Sequence, residues 1–361
     1  MSSSHVRSSL AFALVLSAPL LWGSPTAMAQ GKATAYVSNQ EGNITTIDLS
    51  TLAPTGEIDI GRSSPRGLGV TADGKLLVVA NRDTGDVAII DRASGKVVKR
   101  VPIGKNPEFV RIRDDQAFVS FEPASVGGPP PKPGSAEEKA LRQEREEESA
   151  QPARIAVIDL KQGQVIREIT GGMETEGIEF SGDGKKILVT NEADQNVTVY
   201  DIATGKLLKT ISTKEYGNRP RGIKIAPNGK YYVVSLEYSN KLVLLDDQFN
   251  VIKVVPTGDT PYGLAFSRDG ERLFVALSKA DALQVFDTRT WQPIRNIPTG
   301  QRCWHFSFTP DDSKILVACG RSNEIVVIDA KTFEPIKHIE DKKMPWGIVT
   351  YPKSIGSLDA P

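Results

Sequence analysis

Seven residues at the starts of seven apolar segments carry most of the chemistry in this chain: Arg66, Glu108, Glu176, Arg221, Tyr262, Trp304 and Trp346. They stand in Pro65-Arg66-Gly67, Pro107-Glu108-Phe109, Thr175-Glu176-Gly177, Pro220-Arg221-Gly222, Pro261-Tyr262-Gly263, Cys303-Trp304-His305 and Pro345-Trp346-Gly347. The flanking Pro and Gly are architectural: Pro leads into a strand without needing a donor, and Gly lets backbones approach closely. The residue between them is free to vary, and here it is Arg, Glu or aromatic. Guanidinium groups clamp carboxylates and aromatic faces stack on flat rings. Brought to one concave place, these side chains suit a small planar, polar or anionic ligand. They also admit a purely structural arrangement, in which Arg66 and Arg221 pair with Glu108 and Glu176 and close the place, with the aromatics packing between.

Other reactive residues are fewer. Glu192 and Glu237 follow apolar segments, as does Glu122; with Glu108 and Glu176 they form an acidic sector that a hard cation would favour, although the spacing of a calcium loop is missing. Cys303 and Cys319 flank one hairpin, so folding brings them close as a disulfide, as two thiols, or as ligands of a metal or haem together with His305. His305 replaces the Gly of the repeat, and His338 is the one other histidine beyond the leader. Two histidines give little support to a zinc site or a Ser-His-Asp triad, and neither a c-type haem motif nor a Gly-rich phosphate loop is present.

The elements that must position these residues form a repeat. An apolar strand ending in Asp recurs at Asp48, Asp91, Asp159, Asp201, Asp246, Asp287 and Asp329, at intervals of 43, 68, 42, 45, 41 and 42 residues. A period near 42 containing only strand and turn signals is that of a propeller blade. Each unit reads as four strands rich in Val, Ile and Tyr, with hairpins at Asp73-Gly74, Asp183-Gly184, Asn228-Gly229 and Asp269-Gly270, and Asp311-Asp312 in the equivalent place. The recurring Asp precedes a turn and accepts its backbone N–H groups, which is a structural role. The expected fold is all-β: a seven-bladed propeller of four-stranded antiparallel blades. Residues 33–60 supply three strands and residues 346–351 the missing first one, so the two ends close the ring. First strands are innermost in a propeller, and the seven variable residues therefore converge at one mouth of the central channel.

The single long interval holds an insertion at 122–153. It opens with Gly127-Gly128-Pro129-Pro130-Pro131, continues through a Ser135/Glu138 capping box into a charged helical stretch over 137–148, and reads as a solvated loop or as an arm over the mouth. Residues 1–29 read as a signal peptide, with His5 and Arg7, an apolar run from Leu10 to Trp22, and Ala27-Met28-Ala29 as cleavage signal. The propeller then spans 30–361. A periplasmic or secreted location follows, with no membrane span elsewhere. The 44 basic and 44 acidic residues balance, giving no electrostatic reason to expect nucleic acid or an anionic membrane as partner.

The ordered segments SPRG, NPEF, ETEG, RPRG, TPYG, QRCWHFSF and MPWG resemble those of the YVTN-type propeller repeat proteins, in particular the exported propellers associated with pyrroloquinoline-quinone-dependent catabolism. Arg66, Glu108, Glu176, Arg221, Trp304 and Trp346 match that pattern; Tyr262 departs from it, standing where a smaller residue is the rule. The resemblance implies a non-enzymatic periplasmic accessory to alcohol or amine oxidation, with pyrroloquinoline quinone as a possible ligand and a quinoprotein dehydrogenase as partner. Arg66 and Arg221 would hold its carboxylates, and Tyr262, Trp304 and Trp346 would stack. Two other functions fit a propeller: a lactonase-like hydrolase using Glu108 or Glu176 as base, and a haem-binding protein with His305 as axial ligand.

Overall fold

The computed structural model describes Met1 and residues 32–61, 63–121 and 151–359. The expected leader at 1–29 and nearly all of the insertion lie outside them. What is described of the insertion is its placement, between the second strand of blade 2, Gln116–Phe121, and the third, Arg154–Asp159.

Seven antiparallel sheets of four strands each form a ring. The inner strands are Pro65–Val70, Pro107–Arg113, Thr175–Phe180, Pro220–Ile225, Pro261–Phe266, Cys303–Phe308 and Pro345–Tyr351, for blades 1 to 7 in order. Blade 7 closes the ring: Pro345–Tyr351 pairs with Thr34–Asn39, placing Ala35 opposite Thr350 and Val37 opposite Ile348.

Hydrophobic patterning explains each strand's place. Second strands such as Leu76–Asn81 (LLVVAN) are buried on both faces and read as unbroken apolar runs. Outer strands such as Lys96–Pro102 (KVVKRVP) are mostly exposed, with Val101 as their buried anchor. The core lies between neighbouring blades.

Local chemistry fixes the turns. Each recurring Asp accepts backbone N–H groups of its turn; Asp201 Oδ1 takes the Thr204 N–H at 2.8 Å and the Thr204 hydroxyl at 2.7 Å. At the first hairpin of blade 1, Gly74 has φ +68 and its Cα lies against the Tyr351 ring of blade 7, so both conformation and space exclude a side chain.

Blades are also latched to one another at the rim. A cation on one outer strand reaches the Asp turn of the next blade: Arg167 donates to the Ile202 and Ala203 carbonyls, Lys209 Nζ to the Gln248 carbonyl at 2.8 Å, and Lys337 Nζ to the Thr51 carbonyl at 3.4 Å. Arg167→Ala is expected to lower stability by about 1 kcal/mol, because both turn carbonyls lose a charged donor. Urea unfolding of the variant checks this, and an unchanged midpoint would show that the latch carries no energy.

Candidate functional site

All seven variable residues occupy the second position of an inner strand, and two devices set that position. The residue just before each inner strand is left-handed and is not glycine: Ser64, Asn106, Glu174, Arg219, Thr260, Arg302 and Met344 have φ from 49 to 62. This conformation costs about 1 kcal/mol each and turns the chain abruptly into the strand. Hydroxyls from neighbouring blades then hold the carbonyls of the variable residues. Ser38 donates to Arg66 O at 2.6 Å, Thr190 to Arg221 O at 2.6 Å and Ser235 to Tyr262 O at 2.8 Å.

The mouth is a cup of about 1290 Å3. Arg66, Arg221, Tyr262, Trp304 and Trp346 line it; Glu108 and Glu176 do not, and stand behind the arginines as their counter-ions. Arg66 pairs with Glu108 and donates Nε–H to Gln40 Oε1 at 3.0 Å. Arg221 meets Glu176 at 3.1 Å, Glu192, and Glu237 at 3.4 Å, while Arg219 meets Glu192, Glu237 at 2.9 Å and Glu174 at 3.5 Å. Both arginines assigned to a ligand by the resemblance thus already hold carboxylates of the protein. Burial works against the Arg221 cation, but Glu176 and Glu192 outweigh it. Burial also pushes the Glu192 carboxyl well above its usual range, although Arg221 opposes the shift.

The expected acidic sector is therefore an ion-pair network, with Arg219 and Arg221 inserted among Glu174, Glu176, Glu192 and Glu237; Glu122 lies outside the described residues. Among the described residues no group of His, Cys, Asp and Glu side chains is arranged to hold a metal. The other wall of the cup differs. Arg302, Arg321 and Lys343 line it without a carboxylate partner among the described residues.

Beneath the aromatic floor the channel is filled. His305 is 4% exposed and lies among Trp346, Tyr262 and Phe109, with ring centroids 4.3, 5.4 and 6.3 Å away. Phe109 belongs to blade 2 and His305 to blade 6, so their contact spans the axis. His305 Nδ1 bonds Ser357 Oγ at 3.0 Å, and Nε2 is buried without a hydrogen-bond partner among the described residues. Burial, reinforced by Arg221, holds the imidazole pKa well below its ordinary value, so the ring is neutral.

Ser357 belongs to a C-terminal tail that threads into the channel. Ile355 and Ser357 pair with Phe308 and Phe306, and Leu358 packs among the floor aromatics. Arg111 donates to Leu358 O at 2.6 Å and Lys224 Nζ to Asp359 O at 2.9 Å. The mouth is a cup with a solid floor, not the end of an open channel. Sequence reasoning missed this plug, although a signal existed: Arg111, Glu179 and Lys224 each put a charge three places after a variable residue, inside an apolar strand. It also missed Arg219 and Arg302, which stand two places before variable residues. Cys303 and Cys319 are joined by a disulfide across paired strands, with Cα atoms 3.8 Å apart.

These features define the class: a seven-bladed β-propeller with one blind, cation-rimmed, aromatic-floored mouth. The haem domain of cytochrome D1 is the family description matching residues 150–289, and a YNCE-like beta-propeller matches residues 264–353. No curated protein matches the chain significantly. Solved structures share the fold. A functionally unknown protein from Desulfotomaculum acetoxidans is 17% identical with a TM-score of 0.70, covering 88% of this chain and 98% of its own. The hydrazine synthase of Kuenenia stuttgartiensis is 19% identical with a TM-score of 0.67, covering 87% and 99%. The periplasmic gluconolactonase of Pseudomonas aeruginosa is 16% identical with a TM-score of 0.67, covering 92% and 100%. No helix among the described residues is long and apolar enough to cross a membrane.

The buried Lys224 gives the plug a pH dependence. Burial, then Arg111, lowers its pKa from 10.5 to about 7, against the pull of Glu179 and Asp359 and alongside Lys353. Between pH 7 and 10 the unfolded chain holds this proton and the folded chain does not, so this group makes stability rise with pH. Wild type is expected to gain on Lys224→Met by up to about 1.4 kcal/mol per pH unit from pH 7 to 9. Denaturant melts at each pH measure this, and parallel profiles would show that Lys224 titrates normally.

Proposed function

We propose that this protein is an exported, non-enzymatic binding propeller that holds a flat, multiply anionic ligand in its mouth, in the service of quinoprotein-dependent alcohol or amine oxidation. The observation that carries this reading is the cup itself: about 1290 Å3 of space, a floor of Tyr262, Trp304 and Trp346, and walls on which cations outnumber carboxylates. Flat rings gain from stacking on such a floor, and anions gain from guanidinium donors in a recess from which water is partly excluded. Pyrroloquinoline quinone, the ligand suggested by the sequence resemblance, is flat and bears carboxylates, and therefore suits both surfaces. Its partner would be a periplasmic quinoprotein dehydrogenase. The lactonase-like alternative would need Glu108 or Glu176 as a base, and each is bound to an arginine.

Titration with the quinone, followed by tryptophan fluorescence, is expected to give a saturable quench. Trp304→Leu is expected to weaken binding about tenfold by equilibrium dialysis, because a stacking face is lost. A wild type that shows no saturable binding defeats the proposal.

A haem-binding reading is favoured by one observation, the buried His305 Nε2 with no partner among the described residues, and by the partial similarity to a haem domain. Haem would have to enter among Trp346, Tyr262 and Phe109, which pack around that ring. On this reading added haem gives a Soret band that His305→Ala abolishes; an identical spectrum in the variant rules out His305 as the ligand.

A further inference from the structure

The mouth is electrically lopsided, and the asymmetry says where a ligand's charges go. On blades 3 and 4, Arg219 and Arg221 face Glu174, Glu176, Glu192 and Glu237, two cations against four carboxylates. An anion arriving there meets arginines already paired with carboxylates through their guanidinium nitrogens, and a surplus of like charge. On blade 1, Arg66 is held by Glu108 and Gln40. On blades 6 and 7, Arg302, Arg321 and Lys343 line the cup, and among the described residues no carboxylate is bound to them; Glu41, also in the lining, meets Lys343 through its backbone N–H.

These three cations are built into one unit. Gly320 N–H bonds Arg302 O at 3.1 Å and Arg321 N–H bonds Gln301 O at 3.1 Å, so the two arginines stand on adjacent, tied backbones. The Cys303–Cys319 disulfide staples the same two segments one residue beyond Arg302 and two before Arg321. Asn323 carries the tie to blade 7: its carbonyl accepts the Lys342 N–H at 2.8 Å, and its Oδ1 the Met344 N–H at 3.0 Å. Lys343 lies between those two contacts, its stem packed on Gly42. The Arg302 guanidinium stands 5.9 Å from the Trp304 ring, and the same ring packs on Gly320. A backbone-tied pair of forked donors therefore borders the aromatic floor directly.

We infer that Arg302, Arg321 and Lys343 form the carboxylate clamp of the mouth, and that its ligand is a flat molecule with two or more carboxylates along one edge, lying over Trp304 with that edge toward blades 6 and 7. The inference rests on the mouth being a ligand site, and it moves anion recognition away from Arg66 and Arg221. The disulfide acts as a positioning element, holding the two arginine-bearing segments at fixed separation.

The test is calorimetric titration of the full chain with pyrroloquinoline quinone, with trimesate (a flat tricarboxylate) and with citrate (a tricarboxylate that is not flat). Wild type is expected to bind the two flat ligands and to bind citrate at least tenfold more weakly. Arg302→Ala/Arg321→Ala is expected to lose roughly 10- to 100-fold in affinity for the flat ligands, as charge-assisted hydrogen bonds disappear. Lys343→Ala should lose less, about threefold, since a lysine supplies a point charge and no fork. Lys279→Ala, a rim lysine over Tyr238, serves as the charge-matched control and should bind as wild type. Should the double alanine variant fail to fold, Arg302→Lys/Arg321→Lys keeps both charges and is expected to lose roughly tenfold for want of the fork. Wild-type affinity in the folded double variant overturns the clamp while leaving the mouth as a binding site. Failure of wild type to bind either flat ligand overturns both. Citrate binding as tightly as trimesate overturns the flat-ligand assignment alone.

Discussion

Everything in this propeller depends on how closely its inner strands approach. A Cβ on Gly67 would lie 2.4 Å from the Glu108 carbonyl oxygen, one on Gly177 2.3 Å from that of Arg221, and one on Gly222 2.4 Å from that of Tyr262. At these three positions the residue after the variable one faces the backbone of the next blade, and only glycine leaves room for it. That closeness draws seven unlike side chains to one mouth and lets Ser38, Thr190 and Ser235 reach across to fix their carbonyls. Two blades break the rule, with Phe109 and His305. Their rings turn into the axis and meet there, which closes the channel that the glycines alone would have left narrow but open.

A solid floor changes the electrostatics above it. Tyr262, Trp304, Trp346, Phe109, His305 and Leu358 exclude water beneath the mouth, so charges at its edge are weakly screened on that side. Under those conditions a buried arginine needs counter-ions, and the glutamates behind Arg66 and Arg221 supply them. Their presence explains why a ring that reads as a ligand clamp is in part a self-neutralised scaffold. The cations that remain available are those on short loops at the rim, where water still reaches them and no neutralising carboxylate is required.

Most of the fold was legible in the sequence because it rests on local signals. Hairpin glycines, terminal Asp residues and apolar runs all repeat, and each reports a turn or a strand independent of distant contacts. The one-plus-three closure was legible for the same reason, as a count of strands at the two ends. The site was legible only in part. Position two of each inner strand was readable because the repeat marks it, so Arg66 through Trp346 could be placed at one mouth. Their partners were not, since pairing depends on side-chain reach between blades: Arg219 precedes its strand, and nothing local says it turns in to Glu192 and Glu237. The tail was missed for a related reason. Residues 352–359 form no regular strand, and their bonds go to Arg111, Lys224 and Phe306, far away in sequence. The charges buried in otherwise apolar inner strands were the available sign that something polar must come to meet them.

In a repeat protein, the unit that departs most from its siblings is where selection has worked against the architecture. Blade 2 departs by its insertion and Phe109, and blade 6 departs at three positions of the repeat itself. Cys303 stands where five blades have Pro, His305 where five have Gly, and Asp312 where four have a hairpin Gly. Each departure is tied to a specific contact: the disulfide to Cys319, the Ser357 hydroxyl on the imidazole, and the ion pair from Arg268 to Asp312. The same blade contributes Trp304 to the floor, Arg302 and Arg321 to the wall, and the strand on which the tail docks. A blade under no constraint beyond closing the ring would be free to keep Pro, Gly and Gly, as blades 1, 4 and 5 do. Stapling it, filling its axis with an imidazole and anchoring the tail on it all reduce its freedom to move relative to the other six. Rigidity of that kind adds little to a ring already closed by two pairing termini, but it matters where two guanidinium forks must keep a fixed separation over an aromatic face.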